Sequence, residues 1–87
     1  MTRGKILFFG KLADLAGAAE WPMPSFDSSI DEASFVSMIT RDRPELEVAL
    51  LETSNRICVN QTLLPPSVEV RITDKDEVAF LPPMSGG

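Results

Sequence analysis

The chain has no histidine and no tyrosine among its 87 residues. Losing imidazole removes the usual general base near neutral pH and the commonest metal ligand. Ser-His-Asp and Cys-His catalytic sets are excluded outright. No spacing suits zinc, so neither a bound metal nor a bound cofactor is expected. The one cysteine, Cys58, rules out an internal disulfide. It lies in "RICVN", an apolar run, where a small buried hydrophobe is the favoured reading over a reactive thiol. No apolar stretch approaches the roughly 20 residues of a membrane span. The early run Ile6–Phe9 is too short for the apolar region of a signal peptide, so a cytoplasmic protein is expected. Basic residues are few: 8 against 13 acidic, a formal charge of −5. Their densest run is "RDR" at Arg41–Arg43, which gives no footprint for nucleic acid. No phosphate-binding glycine loop is present, because Gly10 and Gly17 lack the spacing.

What is there is an ordinary apolar fraction, 44%, spread along the chain. That argues against disorder and for one domain spanning 1–87. "KILFFG" (Lys5–Gly10) reads as a strand, with Ile6 and Phe8 on one face and Leu7 and Phe9 on the other. "KLADLAG" (Lys11–Gly17) reads as a short helical turn stopped by Gly17. Pro22 and Pro24 in "AEWPMPSF" restrict that stretch to an edge strand or a loop. "SSIDEASFVSMITRDRP" carries the main helix signal. Ser29 and Glu32 match a capping box, and Ile30, Ala33, Val36 and Ile39 form a stripe widened by Phe35 and Met38. Arg41 and Arg43 suit the negative end of its dipole, and Pro44 stops it. "PELEVALL" (Pro44–Leu51) reads as a second short helix with proline first.

Short strands follow: "RICVN" (Arg56–Asn60), a turn at "QT" or "NQT", then Leu63 and Leu64. "VEVRI" (Val68–Ile72) alternates, and "TDKDE" is a polar turn whose carboxylates read as solvated. "EVAFL" (Glu77–Leu81) is the last strand. The order predicts an α+β fold, a mixed sheet with one main helix packed across one face. The first and last strands are the most apolar, so they are expected side by side in the middle, running parallel.

With the catalytic inventory empty, the one reactive feature needs no side chain. It is the α-carboxylate of Gly87 at the end of "FLPPMSGG". Ionised at neutral pH it is inert, but an ATP-using partner can turn it into an electrophilic acyl adenylate. Glycines at 86 and 87 fit a narrow channel. Pro82 and Pro83 fix two φ angles and favour an extended course. Residues 82–87 therefore read as a projecting tail. A terminal glycine pair also arises by chance; the apolar strand and proline pair before it single this one out.

Three segments resemble one known family, the small subunit of molybdopterin synthase, a ubiquitin-like sulfur carrier. They are "ILFFGKLADLAG", "VNQTLL" (Val59–Leu64) and "TDKDEVAFLPPMSGG" (Thr73–Gly87), and the ending is the most specific. The resemblance implies a β-grasp fold. It implies that an E1-like adenylating enzyme activates Gly87 with ATP and that the residue then becomes a thiocarboxylate. Gly86 lets the tail thread into the large subunit, where sulfur passes to a pyranopterin precursor to form the molybdopterin dithiolene. Phe9, Leu63, Leu81, Pro82, Pro83, Met84 and Ser85 are the implied partner-binding residues, in a hetero-oligomer of two plus two. The chain is expected to be no enzyme on its own. Two departures stand out: Ala13 where the family often has a basic residue, and Asp74-Lys75-Asp76 where many members have Asp-Gly-Asp, which puts Lys75 where φ > 0 is expected. Alternatives remain a carrier for thiamine, cysteine or tRNA thiolation, a protein modifier joined to lysines, and an interaction module with an inert tail.

Overall fold

A computed structural model describes residues 4–65 and 68–83. In chain order it contains β1 (Lys5–Phe8), α1 (Lys11–Ala16), β2 (Glu20–Pro22), β3 (Ile30–Asp31), α2 (Glu32–Ile39), α3 (Pro44–Leu50), β4 (Arg56–Val59), β5 (Thr62–Leu63), β6 (Arg71–Ile72) and β7 (Glu77–Leu81). Five strands form a mixed sheet in the order β2-β1-β7-β4-β5. The first and last strands run parallel side by side, with Ile6 opposite Val78 and Phe8 opposite Phe80. Burial explains β7's central place: Val78, Ala79 and Phe80 are all buried, as a strand flanked on both edges requires. β2, with its proline, takes the edge.

Ile6, Phe8, Val78 and Phe80 point to one face, and the helices cover it. Phe35 and Val36 of α2, Leu46 and Leu50 of α3 and Leu12 of α1 complete that core. Phe80 stacks between Phe8 and Phe35 at ring distances of 5.9 and 6.3 Å. Trp21 meets Phe8 edge-on at 4.8 Å. α1 ends at Gly17, whose φ of 81° closes the helix in the left-handed region.

The main helix departs from its expected start. Ser29 does not cap it; Arg71 occupies the Ser29 hydroxyl and its carbonyl instead. Ile30 and Asp31 pair with Ile72 and Arg71 as a separate two-stranded sheet, so the helix begins two residues later. Asp31 is the cap, its carboxylate accepting from the Ser34 amide at 2.8 Å. The stripe rotates accordingly: Phe35 and Val36 are buried and Ala33 is exposed. The helix stops at Ile39, five residues before Pro44, where the buried Thr40 hydroxyl donates to the Val36 carbonyl at 2.6 Å. Arg41 and Arg43 lie past its last turn. Arg43 stacks over the Trp21 ring at 5.2 Å and ties the α2–α3 linker to β2. Pro44 opens α3 as expected.

The alternating "VEVRI" segment is strand only at Arg71–Ile72, outside the five-stranded sheet. β4 and β5 form the expected hairpin, with Asn60 and Gln61 at φ of 52° and 69°, the torsions of a tight hairpin turn. The Thr73–Asp76 turn is half-buried rather than merely solvated. Asp76 accepts from the Thr73 amide and the Asn60 side chain, and Asp74 accepts from the Phe26 amide. Lys75 is absent from the positive-φ positions, so the strain expected there does not arise. Ala13 packs against the core.

Candidate functional site

Among the described residues no helix covers the sheet face opposite the core, although Ala79 at its centre is buried between its neighbours. Strand register sets a row across it: Glu20 beside Leu7, Leu7 beside Ala79, Ala79 beside Cys58, and Cys58 beside Leu63. One step toward the C-terminal end of β7, Leu81 lies beside Arg56. Phe9, one residue past β1, donates its amide to the Phe80 carbonyl at 3.2 Å and so extends the parallel ladder by one position. That brings Phe9 level with Leu81. Phe9 is 38% exposed and Leu63 50%; Leu7, Cys58 and Leu81 are half-buried.

Phe9 and Leu81 are therefore neighbours, while Leu63 stands two strands from β7, across β4. The apolar surface joining them is Leu7, Ala79 and Cys58. Cys58 was expected in the core and lies on the opposite face, because a two-residue turn at 60–61 puts it opposite Leu63. The hairpin spacing carries that parity, so the signal was available in "RICVNQTLL".

At the end of this face the chain leaves the sheet. Pro82 is half-buried and Pro83 exposed. Pro82 rests over Gly10: a Cβ built at Gly10 would sit 3.0 Å from Pro82 Cγ. Met84, Ser85, Gly86 and Gly87 lie outside the described residues.

Among the described residues, no group of three or more His, Cys, Asp or Glu is placed to hold a metal ion. No helix there is long and apolar enough to cross a membrane. A cleft of about 450 Å³ lies at the edge of the helical layer, lined by Glu32, Leu51, Arg56, Leu64 and Val70 among others. Arg56 spends one guanidinium nitrogen on the Leu64 carbonyl at 3.1 Å. Burial pushes the Glu32 carboxyl above the ordinary glutamate range, whereas the Ser34 hydroxyl and amide hold Asp31 below the aspartate range.

A helix clasped by a mixed sheet, parallel terminal strands at its centre and a C-terminal extension beside an open apolar face define a ubiquitin-like β-grasp protein. Solved structures agree on the fold. SAMP1 from Haloferax volcanii superposes with a TM-score of 0.71 at 21% identity, over 99% of this chain and all of that one. The small archaeal modifier protein 1 from Methanosarcina acetivorans gives 0.70 at 23% identity, over 100% of both chains. The ThiS family profile matches residues 6–87, and the chain belongs to that family. Three relatives are each named molybdopterin synthase sulfur carrier subunit. The Escherichia coli protein is 34% identical over 83 residues, covering 95% of this chain and 98% of its own. The Chlamydomonas reinhardtii protein is 31% identical over 86 residues, covering 95% and 96%. The Dictyostelium discoideum protein is 30% identical over 86 residues, covering 95% and 94%.

Proposed function

We propose that this chain is the sulfur-carrier subunit of a molybdopterin synthase, working through Gly87 as one domain with residues 82–87 as its tail. The observation that carries the reading is the path of β7. The central strand ends beside the open apolar face and runs into Pro82 and Pro83, and in sequence the glycine pair follows four residues after Pro82. Near full-length similarity to three named carrier subunits supports it.

In this reading an E1-like partner joins the Gly87 carboxylate to the AMP portion of ATP, releasing pyrophosphate. A sulfur nucleophile displaces AMP and leaves a thiocarboxylate. The large subunit of the synthase docks on Phe9, Leu63 and Leu81 and receives Pro82 to Ser85 along a channel. Gly86 passes its narrowest point, and the sulfur reaches the pyranopterin precursor. Catalytic side chains belong to the large subunit, in a cytoplasmic assembly of two plus two. The carrier contributes position and a loaded end.

The test is mass spectrometry of the protein from its native host, followed by reconstitution with its large subunit. A species heavier by the difference between sulfur and oxygen is expected, and deleting Gly87 is expected to abolish sulfur transfer while the fold persists. An isopeptide-linked partner in place of that species favours a protein modifier. No modification together with full activity of the Gly87 deletion favours an interaction module with an inert tail.

A further inference from the structure

Gly10 occupies backbone torsions of φ 56° and ψ −134° at the junction of β1 and α1. L-residues avoid that region, and glycine enters it freely. The junction is held on both sides. The Phe9 amide donates to the Phe80 carbonyl, the Leu12 amide to the Phe9 carbonyl at 3.1 Å, and the Ala13 amide to the Gly10 carbonyl at 3.1 Å. Leu12 is fully buried and fixes α1 beneath. Over this fixed point sits the Pro82 ring, with Cγ 3.0 Å and Cδ 3.8 Å from where a Cβ of residue 10 would lie. A side chain at residue 10 would press on the proline ring, which would have to give by a few tenths of an ångström.

We propose that Gly10 is a positioning residue for the tail: its missing side chain forms the seat of Pro82, and that seat sets the direction in which the chain leaves the sheet. This rests on the tail-mediated transfer proposed above. Proline's φ is fixed by its ring, so the ring's resting place orients the chain that follows. The five residues from Pro83 to Gly87 span up to about 17 Å when extended. A turn of about 15° at Pro82 therefore carries the end about 4 Å from its line. Group transfer within a complex loses about a hundredfold for a misplacement of about 1 Å. A filled seat should thus slow delivery of sulfur far more than it weakens docking, because the Phe9, Leu63 and Leu81 side chains themselves are unchanged.

The experiment uses the full chain, loaded chemically as the thiocarboxylate, with its large subunit. Gly10→Leu is expected to bind the large subunit within about threefold of wild type and to transfer sulfur at least about tenfold more slowly in a single turnover. Pro82→Ala alone, which empties the seat, is expected to slow transfer as well, and adding it to Gly10→Leu is expected to cost little more, because both changes break one contact; a side chain that acted only by weakening the fold would add its loss in full. Wild-type rate in Gly10→Leu, or fully additive losses in the double variant, overturns the proposal. Should Gly10→Leu fail to fold, Gly10→Ala places a single methyl against the ring, and a smaller fall with the same non-additivity is expected. NMR gives a readout independent of sulfur chemistry. A cross-peak between the Gly10 α-protons and the Pro82 ring protons is expected, and its absence overturns the seat. A wild-type chain that shows the cross-peak yet delivers no sulfur refutes the sulfur-carrier reading and, with it, the positioning role.

Discussion

Phe80 shows how one residue serves the core with its side chain and the site with its backbone. Its ring lies between Phe8 and Phe35, and its carbonyl receives the Phe9 amide that carries the ladder toward the open face. Phe80→Ala should cost about 3–5 kcal/mol, a large share of the total stability of a small domain. Denaturant unfolding measures it, and a loss below about 1 kcal/mol would mean that the stack contributes little. Alternation in "EVAFL" made Phe80's burial legible. The hydrogen-bonding work of Asp74 and Asp76 was not legible. Their partners Phe26 and Asn60 are brought in by the fold from 48 and 16 residues away.

At the scale of elements, helices and hairpins were readable where the signal is local. Pro44 at the start of α3, Gly17 after α1 and the tight turn at Asn60–Gln61 all act through torsions of neighbouring residues. The start of α2 failed because two local signals competed. Ser29–Glu32 and Asp31–Ser34 both offer a cap, and a distant Arg71 decided between them by taking Ser29. Asp31→Ala should lower the thermal midpoint at neutral pH. Because the folded-state carboxyl titrates below its unfolded value, the cap's contribution is complete above about pH 3.9. It is lost as pH falls through the folded value. The gap between wild type and Asp31→Ala should therefore close on strong acidification. Glu32, raised by burial, acts with opposite sign: its share of stability is present at low pH and shrinks as pH rises. It is common to both proteins and leaves the difference unaffected. A gap that stays constant to pH 2 would rule out the carboxylate as the cap.

For the whole molecule, the question is what meets the open face. Leu7, Phe9, Ala79, Cys58, Leu63 and Leu81 come from four strands and the end of β1. A patch of that kind beside the end of β7 suits a protein partner. Phe9→Lys should weaken large-subunit binding by at least about tenfold, the scale of a lost anchor of about 1.4 kcal/mol or more. Its circular dichroism and melting should stay near wild type, because Phe9 lies outside the core. Unchanged affinity in a calorimetric titration would remove Phe9 from the interface.

The residues by themselves determined the faces of the first and last strands and their parallel pairing. Those follow from side-chain alternation, which can be read locally. Only the tertiary structure decided where α2 begins and that Pro82 rests on Gly10. Each of those depends on groups far apart in sequence competing for one hydrogen bond or one volume, and that competition is settled only when the chain closes on itself.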